Sequence, residues 1–326
     1  MKFLIFKNIM KISVALCTYN GSKYLKQQID SILNQQGIIP TEIIICDDKS
    51  VDDTLNIITE YKTLYPNIFT IYCNELNVGS TKNFEKAISL CTGDYIFLSD
   101  QDDMWKNNKI QKILEVFDNY PDAEGVFSNA DIIDQNDNLI PALTIWDSIF
   151  FLEKELPKPI DFFDVMSKNG NVVTGATLCI SKSVKDFIFP FHANLLHDEW
   201  IANLLAVRNT LYYSDLNLIS YRLHKNQQVG MKNISKIKRK LHLKRIILNL
   251  EKPKTFKEYR LLSKKIYLKL NNSLKFNKLI SPNSSLSDIV VKSKYDWDKI
   301  NSTIKLKFPV RFALFKYIDD FRGKRK

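Results

Sequence analysis

Three groups of carboxylates stand where an apolar run ends in this 326-residue chain. Asp47-Asp48 follow the run 42–46, Asp100-Gln101-Asp102-Asp103 follow 95–99, and Asp198-Glu199 precede Trp200. Several carboxylates within four residues repel one another unless a cation or water screens them. Hard divalent cations use one or two carboxylates and take their remaining ligands from substrate phosphates and water. An Asp-X-Asp just past an apolar strand suits that task. The ordinary roles of such acids are loop solvation, helix capping and compensation of a helix dipole. Asp52, two residues before Thr54 and a helical pattern, reads as a cap.

The elements that must hold these acids alternate. Residues 12–17, 42–46, 68–73, 95–98 and 125–128 read as continuously apolar strands. Between them, 22–35, 52–64, a segment capped by Ser80, and a segment carrying Ile110, Ile113, Leu114 and Phe117 have helical periodicity. Buried strands alternating with helices predict an α/β fold with a mostly parallel central sheet covered on both faces. In such open sheets ligands bind beyond the carboxyl ends of the strands. After residue 130 the pattern loosens. Residues 141–168 read as a loop-rich insertion, 172–180 as strand-like around Gly175, and 194–207 as a helix.

Composition divides the chain near residue 230. Overall it is 45% hydrophobic and 25% charged, with a net charge of +11. Residues 1–230 carry 20 Lys/Arg against 29 Asp/Glu, whereas 231–326 carry 27 against 7. We therefore expect a domain over 11–230 and a basic, mainly helical C-terminal extension over 231–326. Lys236, Lys238, Arg239, Lys240, Lys244 and Arg245 interleave with Ile237, Leu241, Leu243, Ile246 and Ile247. Basic amphipathic helices lie in the plane of anionic membranes, so this segment predicts a peripheral membrane surface as partner. Nucleic acid is not expected, because the motif-bearing part is acidic and would repel phosphate. The five cysteines show no Cys-X-X-Cys spacing and read as reduced, mostly core residues of a cytoplasmic protein. No apolar run reaches the ~18 residues of a membrane span, and residues 1–10 are too short for a signal-peptide core.

With that order laid out, the chain resembles family 2 glycosyltransferases of the GT-A fold. The resemblance rests on Thr18-Tyr19-Asn20, Asp47-Asp48 with Ser50, Asp100-Gln101-Asp102, Gly175, His197-Asp198-Glu199-Trp200, and Tyr221-Arg222-Leu223-His224 leading to Val229-Gly230. It covers about residues 11–230, and the later motifs look most like bacterial rhamnosyltransferases and other O-antigen or capsule enzymes. It implies an inverting, non-processive transfer from a nucleotide-sugar donor, dTDP-rhamnose or a UDP-hexose, to a glycan acceptor that is lipid-linked. It implies that Thr18, Tyr19 and Asn20 line the nucleotide pocket. Asp48 would accept from the base with Asp47 supporting it, and Asp100 would face ribose or metal. Asp102 would bind Mg²⁺ or Mn²⁺, with His224 on the metal or diphosphate from the far side. Asp198 would be the base, although adjacent Glu199 leaves that choice open. Gly175 would allow a close approach near the acceptor. Trp200 divides equally between sugar stacking and the core. One departure is Lys49, where the family has glycine. The alternatives are a sugar-nucleotide-binding protein without catalysis and a nucleotidyltransferase. The latter would want a basic, glycine-rich loop after the first strand, and this chain has no basic residue there before Lys23.

Overall fold

A computed structural model describes residues 10–149, 151, 156, 158–225, 227, 253–279 and 284–314. The basic run 236–247 and Val229-Gly230 lie outside the described residues. The chain divides into two compact units, Met1–Phe151 with Asn171–Ile234, and Leu152–Gly170 with Ser235–Lys326.

The first unit is built on a nine-stranded sheet. Strand β1 (Ile12–Thr18) is wholly buried and pairs in parallel with β2 (Glu42–Asp47) and β4 (Tyr95–Ser99), and β2 pairs in parallel with β3 (Phe69–Cys73). Both faces of β1, β2 and β4 are covered, which is why they read as unbroken apolar runs rather than alternating ones, whereas the edge strand β3 leaves Thr70 and Cys73 exposed. Helices α1 (Ser22–Leu33), α2 (Thr54–Leu64), α3 (Ser80–Leu90) and α4 (Lys109–Asn119) connect or follow them. Their buried residues recur every three or four positions, as with Leu25, Ile29 and Ile32 on α1. Ser80 is the first residue of α3 rather than its cap, which is Gly79. Asp52 does not cap α2 either, since Asp53 holds that position. Asp52 instead accepts from the Thr54 N–H and hydroxyl and from the Ser22 N–H, tying two loops together.

Beyond β4 the sheet changes direction. The short β5 (Met104–Trp105) is followed by β6 (Gly125–Ile133), β7 (Leu139–Thr144), β8 (Leu178–Ser181) and β9 (Leu211–Arg222). Strand β8 runs antiparallel to both β4 and β6, while β9 runs parallel to β6 and antiparallel to β5. The expected strand over 172–180 is thus a 3₁₀ turn, Gly175–Thr177, followed by the short β8. Helices α5 (Ile145–Ile149), α7 (Lys185–Ile188) and α8 (His197–Val207) complete this unit, and α6 (Phe162–Asn169) belongs to the other.

This topology delivers chemistry to one edge. Thr18 pairs with Asp47, and Leu16 with Ser99, so β1, β2 and β4 end together. Strand β8 enters from that edge because it is antiparallel to β4, which brings Gly175 alongside. Strand β9 ends there too, with Ser220 opposite Met104.

The second unit is helical among its described residues: α6, α9 (Phe256–Leu279) and α10 (Ser284–Lys307). Phe163 meets Phe276 edge-on, and Lys269 bridges Asp161 and Asp164. Phe256, Tyr259 and Ile304 form a small core joined by Phe308 and Phe312. Residues 152–170 group with this unit, where the sequence pattern placed them as an insertion of the first.

Candidate active site

A cavity of about 390 Å³ opens at the shared strand edge. Thr18, Tyr19, Asn20, Asp48, Asp100 and Asp102 line one side, and Gly175, Asp198 and His224 also line it. Asp47, Glu199 and Trp200 are not among its lining residues.

The loops after β1 and β2 are locked by Asp47, which is fully buried. Its Oδ1 accepts from the hydroxyls of Thr18 (2.8 Å) and Ser50 (2.6 Å), and its Oδ2 accepts from the Ser50 N–H (2.8 Å). The Ser50 hydroxyl in turn accepts from the Asn20 N–H. Lys49 takes the left-handed conformation, φ 66°, that a glycine would adopt more cheaply. Its side chain is exposed and outside the cavity lining. Asp48 is also held from behind. Its Oδ1 accepts from the Val78 N–H and the Asn74 amide, and its Oδ2 from the Gly79 N–H. A carboxylate has about four lone-pair positions, so Asp48 keeps one, on Oδ2, for a ligand.

At the Asp100–Asp103 turn, burial pushes the Asp100 carboxyl up to about 7, reinforced by the charges of Asp102 and Asp198. Asp103 is buried and raised well above the carboxylate range, first by desolvation and then by Asp102 and Asp100. Asp102 Oδ2 lies 2.7 Å from His224 Nε2. Among the described residues no three carboxylates, imidazoles or thiols gather as a full metal shell. One carboxylate and one imidazole beside further negative charge nevertheless suit a hard divalent cation whose other ligands are phosphate and water oxygens. The residues present fit such an ion.

Asp198 opens α8. Its Oδ1 accepts from the Glu199 N–H (2.6 Å) and its Oδ2 from the Gly175 N–H (3.0 Å). Burial raises its carboxyl to about 6, and those N–H groups oppose the rise. Gly175 is required by packing, because a Cβ there would sit 2.4 Å from His197 Nε2. His197 stacks on Phe84 with ring centroids 3.9 Å apart. Both its ring nitrogens are buried without a hydrogen-bond partner, and desolvation lowers its pKa to about 3, leaving it neutral. Trp200 is 7% exposed and donates its indole N–H to the Ile188 carbonyl at 2.7 Å. It is a core aromatic rather than part of the cavity wall.

Two residues without a role in the sequence reading hold the carboxylate turn. Arg222, fully buried, donates from its backbone N–H to Asp103, from Nε to the Asp102 carbonyl, and from its guanidinium to Asp137 and Gln27. Its cation lies 4.3 Å from the centre of the Tyr24 ring. Lys109, also fully buried, donates to the Ala176 carbonyl and lies 3.8 Å from the centre of the Trp105 ring. Burial lowers its pKa to about 7 against the pull of Asp103. The sequence signal for Lys109 was its place on the apolar stripe of α4, beside Ile110 and Ile113.

A family model described as Glycosyl transferase family 2 matches residues 13–187, more than half of the chain. The chain is a family 2 glycosyltransferase. Similar proteins agree. The dTDP-rhamnosyl transferase RfbG of Shigella flexneri is 30% identical over 233 residues, 68% of this chain and 75% of that protein. An uncharacterized glycosyltransferase of Nostoc sp. is 39% identical over 132 residues, 40% of each chain. Chondroitin synthase of Escherichia coli is 34% identical over 134 residues, 41% of this chain but 19% of that one. The match thus spans well under two thirds of the last two proteins. The crystal structure of S. aureus TarS 1–349 with UDP-GlcNAc superposes with a TM-score of 0.53, covering 96% of this chain and 90% of that one. At 17% identity it shows the fold, a GT-A glycosyltransferase fold with a helical C-terminal part. Enzymes of this family use nucleotide-sugar donors, and those of the GT-A fold generally use a divalent metal.

Proposed function

We propose that this glycosyltransferase inverts configuration in one non-processive displacement, moving rhamnose from dTDP or a hexose from UDP onto a glycan acceptor. The observation that carries this is one cavity holding both a cation-suited Asp102–His224 pair and a partly buried carboxylate, Asp198, raised to about 6. The acceptor oxygen attacks the anomeric carbon as the bond from that carbon to the diphosphate oxygen breaks. The departing electron pair goes to the nucleoside diphosphate, and the acceptor proton goes to Asp198. Asp198 is assigned as base over Glu199 because Asp198 lines the cavity. Its two N–H contacts, from Gly175 and Glu199, aim the carboxylate and stabilise its charged form. Thr18, Tyr19, Asn20 and Asp48 receive the nucleoside, with Asp47 setting their loop, and Asp100 faces the ribose. Gly175 stands at the acceptor side. Asp102 and His224 would hold Mg²⁺ or Mn²⁺, which neutralises charge on the leaving diphosphate.

The dTDP-rhamnose option is supported by the likeness to RfbG. A lipid-linked acceptor at the inner face of the membrane is supported by the basic C-terminal segment. On its described part, Val291, Tyr295, Leu306 and Val310 are 64–83% exposed among lysines. No described helix is long and apolar enough to cross a membrane. The test is titration of UDP, dTDP and GDP with and without Mn²⁺ or Mg²⁺, on the wild type and Asp102→Ala. One nucleotide should bind in a metal-dependent way, and the variant should lose about 100-fold or more. Binding indifferent to metal and to Asp102 would sink the reading.

A further inference from the structure

The middle residue of the Asp-X-Asp turn carries a contact that reaches across the cavity mouth. Gln101 Oε1 accepts from the Tyr19 N–H at 2.8 Å, and Gln101 Nε2 donates to the Tyr19 carbonyl at 2.9 Å. Both backbone groups of Tyr19 are thus met by one side chain 82 residues away, as a neighbouring strand would meet them. The ladder between β1 and β4 reaches only Leu16 and Ser99, so Gln101 extends their register past the strand ends.

Gly21 shows how tightly this is built. A Cβ there would fall 2.1 Å from Gln101 Oε1, 2.3 Å from Cδ and 2.9 Å from Nε2, on every polar atom of the carboxamide. Its φ of −106° is open to any residue, so the need for glycine is steric. The loop is not free to step back. The Gly21 N–H donates to the Thr54 hydroxyl, and its carbonyl accepts from the Tyr24 and Leu25 N–H groups.

We propose that Gln101 is a positioning residue, a latch that keeps the nucleotide-facing loop 18–21 in register with the carboxylate turn 100–103, and that Gly21 is glycine to seat it. The inference rests on the donor-site reading above. Metal held at Asp102 and nucleoside held at Thr18–Tyr19 then help each other only while the latch is shut, which is a coupling between two sites. Two neutral hydrogen bonds of ordinary strength account for a coupling of about tenfold.

The test is a double-mutant cycle of Gly21→Ala, Gln101→Ala and both together. UDP and dTDP are titrated into each protein with and without Mn²⁺, and each protein is melted. Gln101→Ala should cut the factor by which Mn²⁺ tightens the nucleotide about tenfold, with metal-free affinity falling by much less. Gly21→Ala should do the same and melt lower, and the double variant should melt higher than Gly21→Ala because the Cβ gains room. Equal loss of metal-free and metal-dependent affinity in Gln101→Ala would make it a general structural residue and overturn the latch. So would losses that simply multiply in the double variant. If the wild type binds neither nucleotide, the donor reading fails, and the melting cycle decides the latch alone. Recovery in the double variant then supports it, and additive losses overturn it.

Discussion

The loops after β1, β2 and β4 form one wall of the cavity, and Gly175 with the start of α8 forms another. On the first wall most polar groups are tied from behind, except Asp100, whose carboxyl is pushed up to about 7 by burial. Asp47 takes three hydrogen bonds, Asp48 takes three, and Gln101 closes on Tyr19. On the second wall His197 keeps two buried nitrogens without partners, and Asp198 sits well above the ordinary carboxylate range. Saturated groups give a rigid mould for a ligand. A desolvated carboxylate beside a neutral ring keeps a carboxylate basic enough to take a proton near neutral pH. The first wall is built for binding, the second for reactivity.

The sharpest way to break this comparison is Asp198→Asn. Its kcat should fall by about 10²–10⁴ while nucleotide affinity in Mn²⁺ stays at the wild-type value. Affinity falling in step with rate would mean the walls do not divide the work. Next is Arg222→Met, which removes a buried guanidinium from Asp137, Gln27 and the Asp102 carbonyl while keeping the backbone bond to Asp103. Urea titration should show a loss of about 2 kcal/mol from the hydrogen bonds of the buried guanidinium, with weakened metal-dependent binding. An unchanged midpoint would show that Arg222 does not brace the first wall.

A pH profile comes third. The Asp198 carboxyl must be ionised to accept a proton, and burial raises it to about 6. So kcat at saturating donor should fall about tenfold per unit below that value, with Asp100, raised to about 7 in the same cavity, titrating above it. A limb near 4 instead would remove the claimed tuning of the second wall. The smallest effect is expected for Trp200→Phe. It loses the indole bond to Ile188 and should cost about 1 kcal/mol in thermal melting, with kcat unchanged. A large drop in kcat would return Trp200 to the acceptor site.

Much of the first wall was legible in the sequence. The runs ending at Cys17, Cys46 and Leu98 announced parallel strands, because buried strands must be apolar throughout. Strand β9 was harder to see. Ser214, Asp215 and Asn217 interrupt its apolar pattern, where the register against β6 also shifts. Residues 152–170 carry no local mark of their grouping with α9, since the Phe163–Phe276 contact spans more than a hundred residues.

The sequence by itself determined which acids exist and that Asp47-Asp48 and Asp100–Asp103 stand at strand ends, because apolar periodicity is a local property. Only the tertiary structure decided what each acid touches. Asp102 meets His224 across 122 residues because β9 pairs with β5 in one register. Asp48 spends three of its lone-pair positions on its own fold, and Asp198 becomes basic through burial. Partners and desolvation depend on which distant segments pack together, and no local pattern encodes that.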